Sequence, residues 1–201
     1  MFKQKAHTFT AWMLRLKHLN RWPLMHSVFK ENVASHSHEV TVIAHQIAII
    51  AKENYGKDIS PSDIAVAACY HEAGEAKLGD FPSPIKYLNE KLTAEIKKAE
   101  HQAEVSMLHS LDENLQDCMK KYVIQSELDR YTKDIVKAAD IISMALKASN
   151  EIHHGNRREY SRAYEKLITA LDYYKDTYQE VKDFCDLQMP MCELSLDELT
   201  E

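Results

Sequence analysis

Apolar residues recur along most of this chain at intervals of three and four residues, the spacing that places them on one face of an α-helix. The most regular series consists of Ile135, Ala139, Ile142 and Leu146. Ser60-Pro61 indicates a helix start, because serine caps a helix amino terminus and proline is tolerated in the first turn. The pattern predicts helices over residues 8–20, 36–53, 93–110, 112–127, 132–153 and 157–187, and another that begins at Ser60-Pro61 and carries His71 inward.

Glycine and proline are scarce, and several of them fall in one stretch. The chain has four glycines and five prolines in 201 residues, which is too few for an all-β protein that needs a turn about every 8–12 residues. Gly74, Gly79, Pro82 and Pro84 all lie between residues 72 and 84. We therefore predict an all-α fold interrupted by one irregular loop, in a single domain over residues 1–201 without an internal repeat or linker.

Charge and cysteine content exclude several classes of function. With 25 Lys and Arg against 31 Asp and Glu, the formal net charge is −6, which argues against a protein that coats a nucleic-acid polymer. The N-terminal segment lacks the apolar core and cleavage site of a secretory signal, and no run approaches the ~20 apolar residues that span a bilayer. The four cysteines form no C-x-x-C pair. We expect a cytoplasmic protein with reduced thiols that binds neither a nucleic-acid polymer nor a membrane.

The clearest candidate for chemistry is the run His71-Glu72-Ala73-Gly74-Glu75 at the start of the irregular loop. At helical spacing His71 and Glu75 share a face, and Glu72 is turned from them by about 100°. A metal ligand, a neighbouring ligand and a base aimed at a metal-bound water fit that arrangement. Solvated acidic residues at the end of a surface helix produce the same string. It differs from the H-E-x-x-H motif of zinc proteases, because position 75 is Glu.

Three further features carry candidate chemistry, each beside a structural alternative. His36 stands at the entrance to an apolar helix, where a histidine is usually a cap or a packed polar residue. Asp140 lies inside an apolar series, and a buried carboxylate needs a partner: Lys137, Lys147 or a bound cation. Arg21-Trp22 offers an anion clamp beside a flat stacking surface, or a core tryptophan with a solvated neighbour.

Taken together and in order, the motifs resemble one family. The strings are R-W-P-L-M, E-N-V-x-x-H-S, Y-H-E-A-x-E, G-D-x-P-x-P-x-K-Y, K-x-A-D and L-S-L-D-E, within residues 16–25, 31–37, 70–75, 79–87, 136–140 and 194–198. On these strings the chain resembles the small HD-domain phosphohydrolases of the bacterial 5′-deoxynucleotidase group over nearly its whole length. The resemblance implies an all-α HD-domain helical bundle, a homodimer and a deoxynucleotide substrate.

The resemblance also implies a metal site. One divalent ion would be held by four residues: His36, His71, Glu72 and Asp140. This mixed set of nitrogen and oxygen ligands suits Co, Mn, Fe, Ni, Zn or Cu. Position 72 departs from the family pattern, because the family has Asp in the His-Asp pair and this chain has a glutamate that is one methylene longer. We expect the site to be kept, with an altered metal preference or rate.

The catalytic roles follow from the same resemblance. Glu75 would position or deprotonate the attacking water, and Arg21 would orient the phosphate. Trp22 and the segment Asp80-Phe81-Pro82-Ser83 would contact the sugar and base, with Asp80 near the place that a 2′-hydroxyl would crowd. Glu72 and Asp140 would face the substrate as well as the metal.

Several functions are compatible with this sequence. The first is metal-dependent removal of phosphate from 2′-deoxyribonucleoside 5′-monophosphates, which yields a deoxynucleoside and phosphate. The second is a deoxynucleoside triphosphohydrolase that releases tripolyphosphate, for example from dATP. The third is a non-catalytic nucleotide-binding HD module, in which Glu72 has disabled metal binding. The fourth is a helical interaction protein whose acidic cluster is solvated.

Overall fold

The computed structural model describes residues 6–200. Residues 1–5, the start of the segment in which we expect no targeting signal, and Glu201 lie outside the described part. Residues 6–200 form helices and no strand, with an isolated antiparallel bridge between Asn20 and Asn32, so the predicted all-α class is confirmed. The helices are α1 (Phe9–Met13), α2 (Val33–Tyr55), α3 (Pro61–Cys69), α4 (Glu75–Leu78), α5 (Ser83–Lys86), α6 (Glu90–Leu108), α7 (Glu113–Val123), α8 (Arg130–His153), α9 (Arg157–Thr177), α10 (Gln179–Leu187) and α11 (Leu196–Thr200).

The main core lies around α2 and α8, which pack against each other and against α3, α9 and α10. Val40 and Ile47 on α2 and Ile135 and Ile142 on α8 are fully buried. Ile135 and Ile142 belong to the apolar series that predicts α8, and Val40 and Ile47 share one face of α2 at a spacing of seven residues. The apolar stripes therefore face inward as expected. Burial of such side chains contributes roughly 1.5–3 kcal/mol each.

A second apolar cluster lies beneath the irregular loop. Phe9 of α1, Met107 of α6 and Val123 of α7 are buried there together with Ala73 and Ala76. The loop backbone therefore rests on α6 rather than standing free in solvent. A β-carbon at Gly74 would lie 3.0 Å from the Cβ and 3.1 Å from the Cα of Glu100, so a side chain at this position would force α6 away.

Three predicted helices are interrupted. The helix predicted over residues 112–127 ends at Val123, and a 3₁₀ turn over Gln125–Glu127 follows.

The helix predicted over residues 8–20 ends at Met13, and a 3₁₀ turn over Leu16–His18 follows before the chain becomes extended at Leu19. The long helix predicted over residues 157–187 is two helices, because Tyr178 is extended, with φ −129° and ψ 107°. At the break, the Tyr178 hydroxyl donates to Asp134 of α8 at 2.5 Å.

The helix predicted to carry His71 ends earlier, at Cys69, and the chain forms a series of turns before α4 begins at Glu75. Its start is as predicted, because the Ser60 hydroxyl accepts the amide of Asp63 at 3.2 Å and Pro61 occupies the first turn. All four cysteines are free thiols. None of the helices within residues 6–200 combines the length and the apolar character that a bilayer crossing requires.

Candidate active site

Four side chains from three elements meet between α2 and α8. His36 lies in the first turn of α2, where Asn32 caps the helix by accepting the amide of Ser35 at 2.9 Å. Asp140 lies in the middle of α8, and the turns after α3 supply the other two. One ligand atom from each of His36, His71, Glu72 and Asp140 lies within 4.8 Å of the others. The structure thus brings together the four residues expected to bind a metal ion.

His36 has a defined tautomer. Its Nδ1 is 3.0 Å from the Ser143 hydroxyl, which itself donates to Glu39 at 2.8 Å. Because a hydroxyl has one proton to give, Nδ1 carries the proton in its contact with Ser143. Burial lowers the pKa of His36 to about 4, so the imidazole is neutral at physiological pH and Nε2 keeps its lone pair. That lone pair faces Asp140 Oδ1 at 3.1 Å, and two facing acceptors form a place for a cation.

His71 presents its second ring nitrogen in the same way. Nδ1 donates to the Ala68 carbonyl at 2.7 Å, which leaves Nε2 as the acceptor. Within residues 6–200, this buried Nε2 has no hydrogen-bond partner, and it lies 3.5 Å from Glu72 Oε1. A backbone carbonyl that fixes the tautomer is the usual support of a metal-binding histidine. The donor set therefore fits a divalent cation.

Glu72 lies in the cluster and also reaches the arginine. Its Oε1 is 3.2 Å from Arg21 Nη1. Burial raises the pKa of Glu72, but its neighbours, His71 and the Arg21 guanidinium foremost, outweigh it and hold the pKa below its ordinary value. The longer glutamate side chain therefore places one oxygen among the candidate ligands while it contacts Arg21.

Asp140 has a cationic neighbour as well as its place in the cluster. Lys137, one turn earlier on α8, lies 2.7 Å from Asp140 Oδ2. Burial raises the pKa of Asp140, but the Lys137 ammonium, the largest opposing influence, helps to bring it well below the ordinary value. The other sequence candidate, Lys147, pairs with Glu151 instead, at 2.6 Å.

Glu75 lies at the edge of the cluster, at the first residue of α4. Its side chain is only 4 % exposed, and its Oε2 has no hydrogen-bond partner within residues 6–200. Burial, reinforced by the Glu72 and Asp80 carboxylates, raises the pKa of Glu75 to about 10. A carboxyl group with a strongly perturbed pKa in a cleft is typical of catalytic acids and bases.

A cavity of about 250 Å³ opens beside these side chains. Glu75 lines it together with three of the candidate ligands, and three lysines add positive charge: Lys86, Lys133 and Lys137. Lys86 pairs with Glu100 at 2.9 Å across the cavity. Burial raises the pKa of Glu104, a further lining residue, to about 7. The cavity therefore presents both cations and carboxyl groups next to the cluster.

Arg21, Trp22 and Asp80 lie together on the other side of Glu72. Trp22 has φ +56°, and it is the one non-glycine residue with positive φ in the described chain. Its indole nitrogen donates to Glu31 at 3.3 Å, and its ring lies 5.5 Å from that of Tyr160. The backbone of Trp22 hydrogen-bonds to the Asp80 carboxylate, whose pKa burial raises.

The remaining residues expected at the substrate site follow Asp80 along the loop. Phe81 and Pro82 are half-buried, and Ser83 is exposed at the first position of α5. Their contact with a substrate stays a prediction.

Three residues of this region received no role from the sequence. Glu31 lies 3.2 Å from Arg21 Nε and so forms a second ion pair with the guanidinium, beside that of Glu72 with Nη1. Glu39 and Ser143 fix the His36 tautomer. The sequence spacing could have identified Glu39 and Ser143, since each lies three residues after an expected ligand on the same helix face.

Comparisons with known proteins agree with this geometry. The family profile described as 5′-deoxynucleotidase YfbR-like matches residues 8–192. The 5′-deoxynucleotidase of Vibrio cholerae is 37 % identical over 198 residues, which are 98 % of this chain and 100 % of the relative.

Two solved structures share the fold, and their low sequence identity to this chain supports a conclusion about the fold only. An HD-domain phosphohydrolase from Listeria innocua superposes with a TM-score of 0.80 at 19 % identity, over 96 % of this chain and 92 % of the other. The HD phosphohydrolase DatZ of cyanophage S-2L, solved with dA and one catalytic Zn²⁺ ion, has a TM-score of 0.52 at 15 % identity over 85 % and 96 % of the two chains. The predicted HD-domain bundle is thereby confirmed.

Proposed function

Because the chain belongs to the YfbR-like 5′-deoxynucleotidase family, we propose that it is a metal-dependent phosphohydrolase that removes phosphate from 2′-deoxyribonucleoside 5′-monophosphates. The observation that carries the proposal is the convergence of His36, His71, Glu72 and Asp140 within 4.8 Å. A solvated acidic cluster would not bury a neutral histidine against an aspartate, so the reading as a helical interaction protein is disfavoured.

These four residues would hold one divalent metal ion. When bound, such an ion would lower the pKa of a coordinated water molecule and polarise the phosphoryl group. The zinc-bearing structural neighbour makes Zn²⁺ a candidate, and Co, Mn, Fe, Ni and Cu suit the same ligands. Glu72 reaches the cluster despite its extra methylene, which supports an active site over a disabled one.

Arg21 and Glu75 would carry the catalytic roles. Glu31 holds Arg21 through Nε at 3.2 Å, so the Nη atoms are left for other contacts. They would bind the phosphate in place of the present contact between Nη1 and Glu72. A cation in the cluster favours the ionised form of Glu75, because a nearby positive charge lowers the pKa of a carboxyl group. The unpartnered Oε2 would then position the attacking water and accept its proton.

The nucleoside would lie on the side of Trp22 and Asp80. The indole ring, held by Glu31 and Tyr160, offers a surface for the base or sugar. The Asp80 carboxylate, held by the backbone of Trp22, would crowd a 2′-hydroxyl and so favour deoxynucleotides. Phe81, Pro82 and Ser83 would complete the substrate contacts.

The cavity lysines favour a second candidate function. Lys86, Lys133 and Lys137 line the space next to the cluster, where further phosphate groups of a deoxynucleoside triphosphate would fit. In that case the product is tripolyphosphate.

Hydrolysis of dAMP, AMP and dATP by metal-stripped protein, with and without Co²⁺ or Mn²⁺, tests these proposals. We expect metal-dependent phosphate from dAMP and little from AMP. Tripolyphosphate from dATP would favour the second candidate. No metal-dependent release from any deoxynucleotide would contradict both, and a nucleotide-induced rise in Tm without a metal-induced one would point to a non-catalytic module.

We also propose that the enzyme is a cytoplasmic homodimer. The family resemblance supports the dimer, and exposed leucines on α10 and α11 supply apolar surface: Leu187, Leu196 and Leu199 are 70, 77 and 60 % exposed. Light scattering coupled to size exclusion should give twice the mass of one chain, and a monomer mass at micromolar concentration would contradict the proposal.

A further inference from the structure

The buried face of α8 carries a second pair of charged residues beyond the metal cluster. Lys147 and Glu151 follow Asp140 by seven and eleven residues, so all three project from one side of the helix. Their burial is nearly complete, with 9 % of Lys147 and 0 % of Glu151 exposed. Glu151 lies three turns from Asp140, about 16 Å along the helix axis, and so has no contact with the cluster itself.

The Glu151 carboxylate binds a backbone segment. Its two oxygens accept the amides of Val28 at 2.8 Å and Phe29 at 2.9 Å. Asn156 donates to it at 2.8 Å, and Lys147 donates to it at 2.6 Å while also donating to the Phe29 carbonyl. Burial raises the pKa of Glu151, but these donors outweigh it and bring the pKa to about 2. The side chain is therefore a charged anchor for residues 28–29.

Residues 28–29 belong to the loop that carries Arg21 and Trp22. The two ends of this loop, residues 20–32, are joined by the bridge between Asn20 and Asn32 and by a hydrogen bond from the Arg21 amide to the Glu31 carbonyl at 3.0 Å. The anchor at Glu151 fixes the far side. A loop closed at its base and tied at its far side has little freedom left.

The conformation of Trp22 requires such restraint. At φ +56° a bulky residue is in the left-handed region, an unfavourable conformation that persists only when the surroundings enforce it. We propose that the buried Lys147–Glu151 pair is a positioning element, which holds the loop of residues 20–32 so that Arg21 and Trp22 face the substrate. The proposal rests on the substrate roles of Arg21 and Trp22 given above.

A tryptophan signal tests the proposal independently of activity. The chain has two tryptophans, so a Trp12→Phe background leaves Trp22 as the only tryptophan. Selective excitation of tryptophan excludes the signal of the ten tyrosines. In this background, Glu151→Gln keeps the side-chain volume and removes the charge. The matched control is Glu180→Gln on α10, because Glu180 is equally buried and accepts from Lys57 and Tyr131 at 2.6 Å each. It does not touch the loop.

We expect Glu151→Gln to raise acrylamide quenching of Trp22 and lower its anisotropy, while Glu180→Gln leaves both unchanged at a similar loss of Tm. With dAMP, Glu151→Gln should lower kcat/KM by about tenfold or more, mainly through KM, and leave the affinity for Co²⁺ unchanged. Asn156→Ala removes one tether to Glu151 and another to the His26 carbonyl. Because it keeps the buried pair intact, it should change quenching, anisotropy and KM in the same direction but by less. It therefore serves as the test if Glu151→Gln fails to fold.

Equal quenching and anisotropy in Glu151→Gln and Glu180→Gln, with Asn156→Ala like the parent, would overturn the proposal whatever the activity. Equal increases in KM in Glu151→Gln and Glu180→Gln would mean that Glu151 contributes only to general stability, and would overturn the proposal as well. A parent protein that releases no phosphate contradicts the proposed function instead, because the fluorescence result still shows whether Glu151 holds the loop.

Discussion

Replacement of Ser143 by alanine tests whether the support of His36 prepares the metal site. The serine hydroxyl accepts from His36 Nδ1 at 3.0 Å and donates to Glu39 at 2.8 Å. Alanine removes both contacts in a place with no exposure to solvent, since Ser143 is 0 % exposed. The Nδ1 proton then loses its acceptor, and the tautomer that puts the proton on Nε2, toward Asp140, gains population.

The size of the effect follows from these contacts. A buried donor left without an acceptor costs about 1–3 kcal/mol. Since about 1.4 kcal/mol corresponds to a factor of ten, metal affinity should fall by roughly tenfold to a hundredfold, the range seen for residues that support metal ligands. The proton on Nε2 competes directly with the cation for the same lone pair.

Isothermal titration of metal-stripped protein with Co²⁺ or Mn²⁺ measures this affinity. The control is Ser149→Ala, a buried serine of the same helix with 7 % exposure that lies away from His36. We expect the control to bind metal like the wild type. If Ser143→Ala also binds as tightly as the wild type, Ser143 does not prepare the histidine and the reasoning about its tautomer is wrong.

Three further outcomes are expected. Glu75→Gln should lower phosphate release from dAMP by about 10²–10⁴-fold with Co²⁺ affinity unchanged; a parallel loss of Co²⁺ binding in titrations would make Glu75 a ligand instead. Glu72→Asp shortens the side chain that contacts Arg21 at 3.2 Å and should reorder the rates with Co²⁺, Mn²⁺, Ni²⁺ and Zn²⁺, whereas an unchanged order would refute a role of Glu72 in metal preference. Since the pKa of Glu151 falls from 4.5 to about 2 on folding, its contribution to stability is present above pH 4.5 and is lost as the pH falls toward 2. Urea unfolding between pH 4.5 and pH 2 should show a smaller decline in the free energy of unfolding for Glu151→Gln than for the wild type. Equal declines in the two proteins would contradict this role of Glu151.

The sequence predicts the helices well where an apolar stripe repeats without interruption. The stripe of α8 is one example, and its inward residues Ile135 and Ile142 are fully buried. The break at Tyr178 has no glycine or proline to mark it, and the contact of Tyr178 with Asp134 of α8 is a tertiary one that a local pattern does not show. Helical spacing predicts His71 within a helix, but the chain leaves the helix at Cys69 and turns so that the ring of His71 lies 5.3 Å from that of His36.

The site is harder to predict from spacing alone. His36 and Asp140 are 104 residues apart in sequence, and periodicity relates residues only within one helix. The family resemblance joins them, and the structure places them in one cluster. Glu31, Ser143 and Glu151 are ordinary polar residues in the sequence, and their importance arises from tertiary burial, which no local pattern encodes.

Gly74 limits how the active site can be redesigned. A β-carbon there would already lie 3.0 Å from the Cβ of Glu100, so at this point the cavity wall is main chain packed directly against α6. No side chain at position 74 can be trimmed to widen the cavity, and adding one would part α6 from the loop. An enzyme variant for bulkier substrates has to gain its room from the side chains that line the cavity, for example by shortening Lys133 or Lys137 on α8.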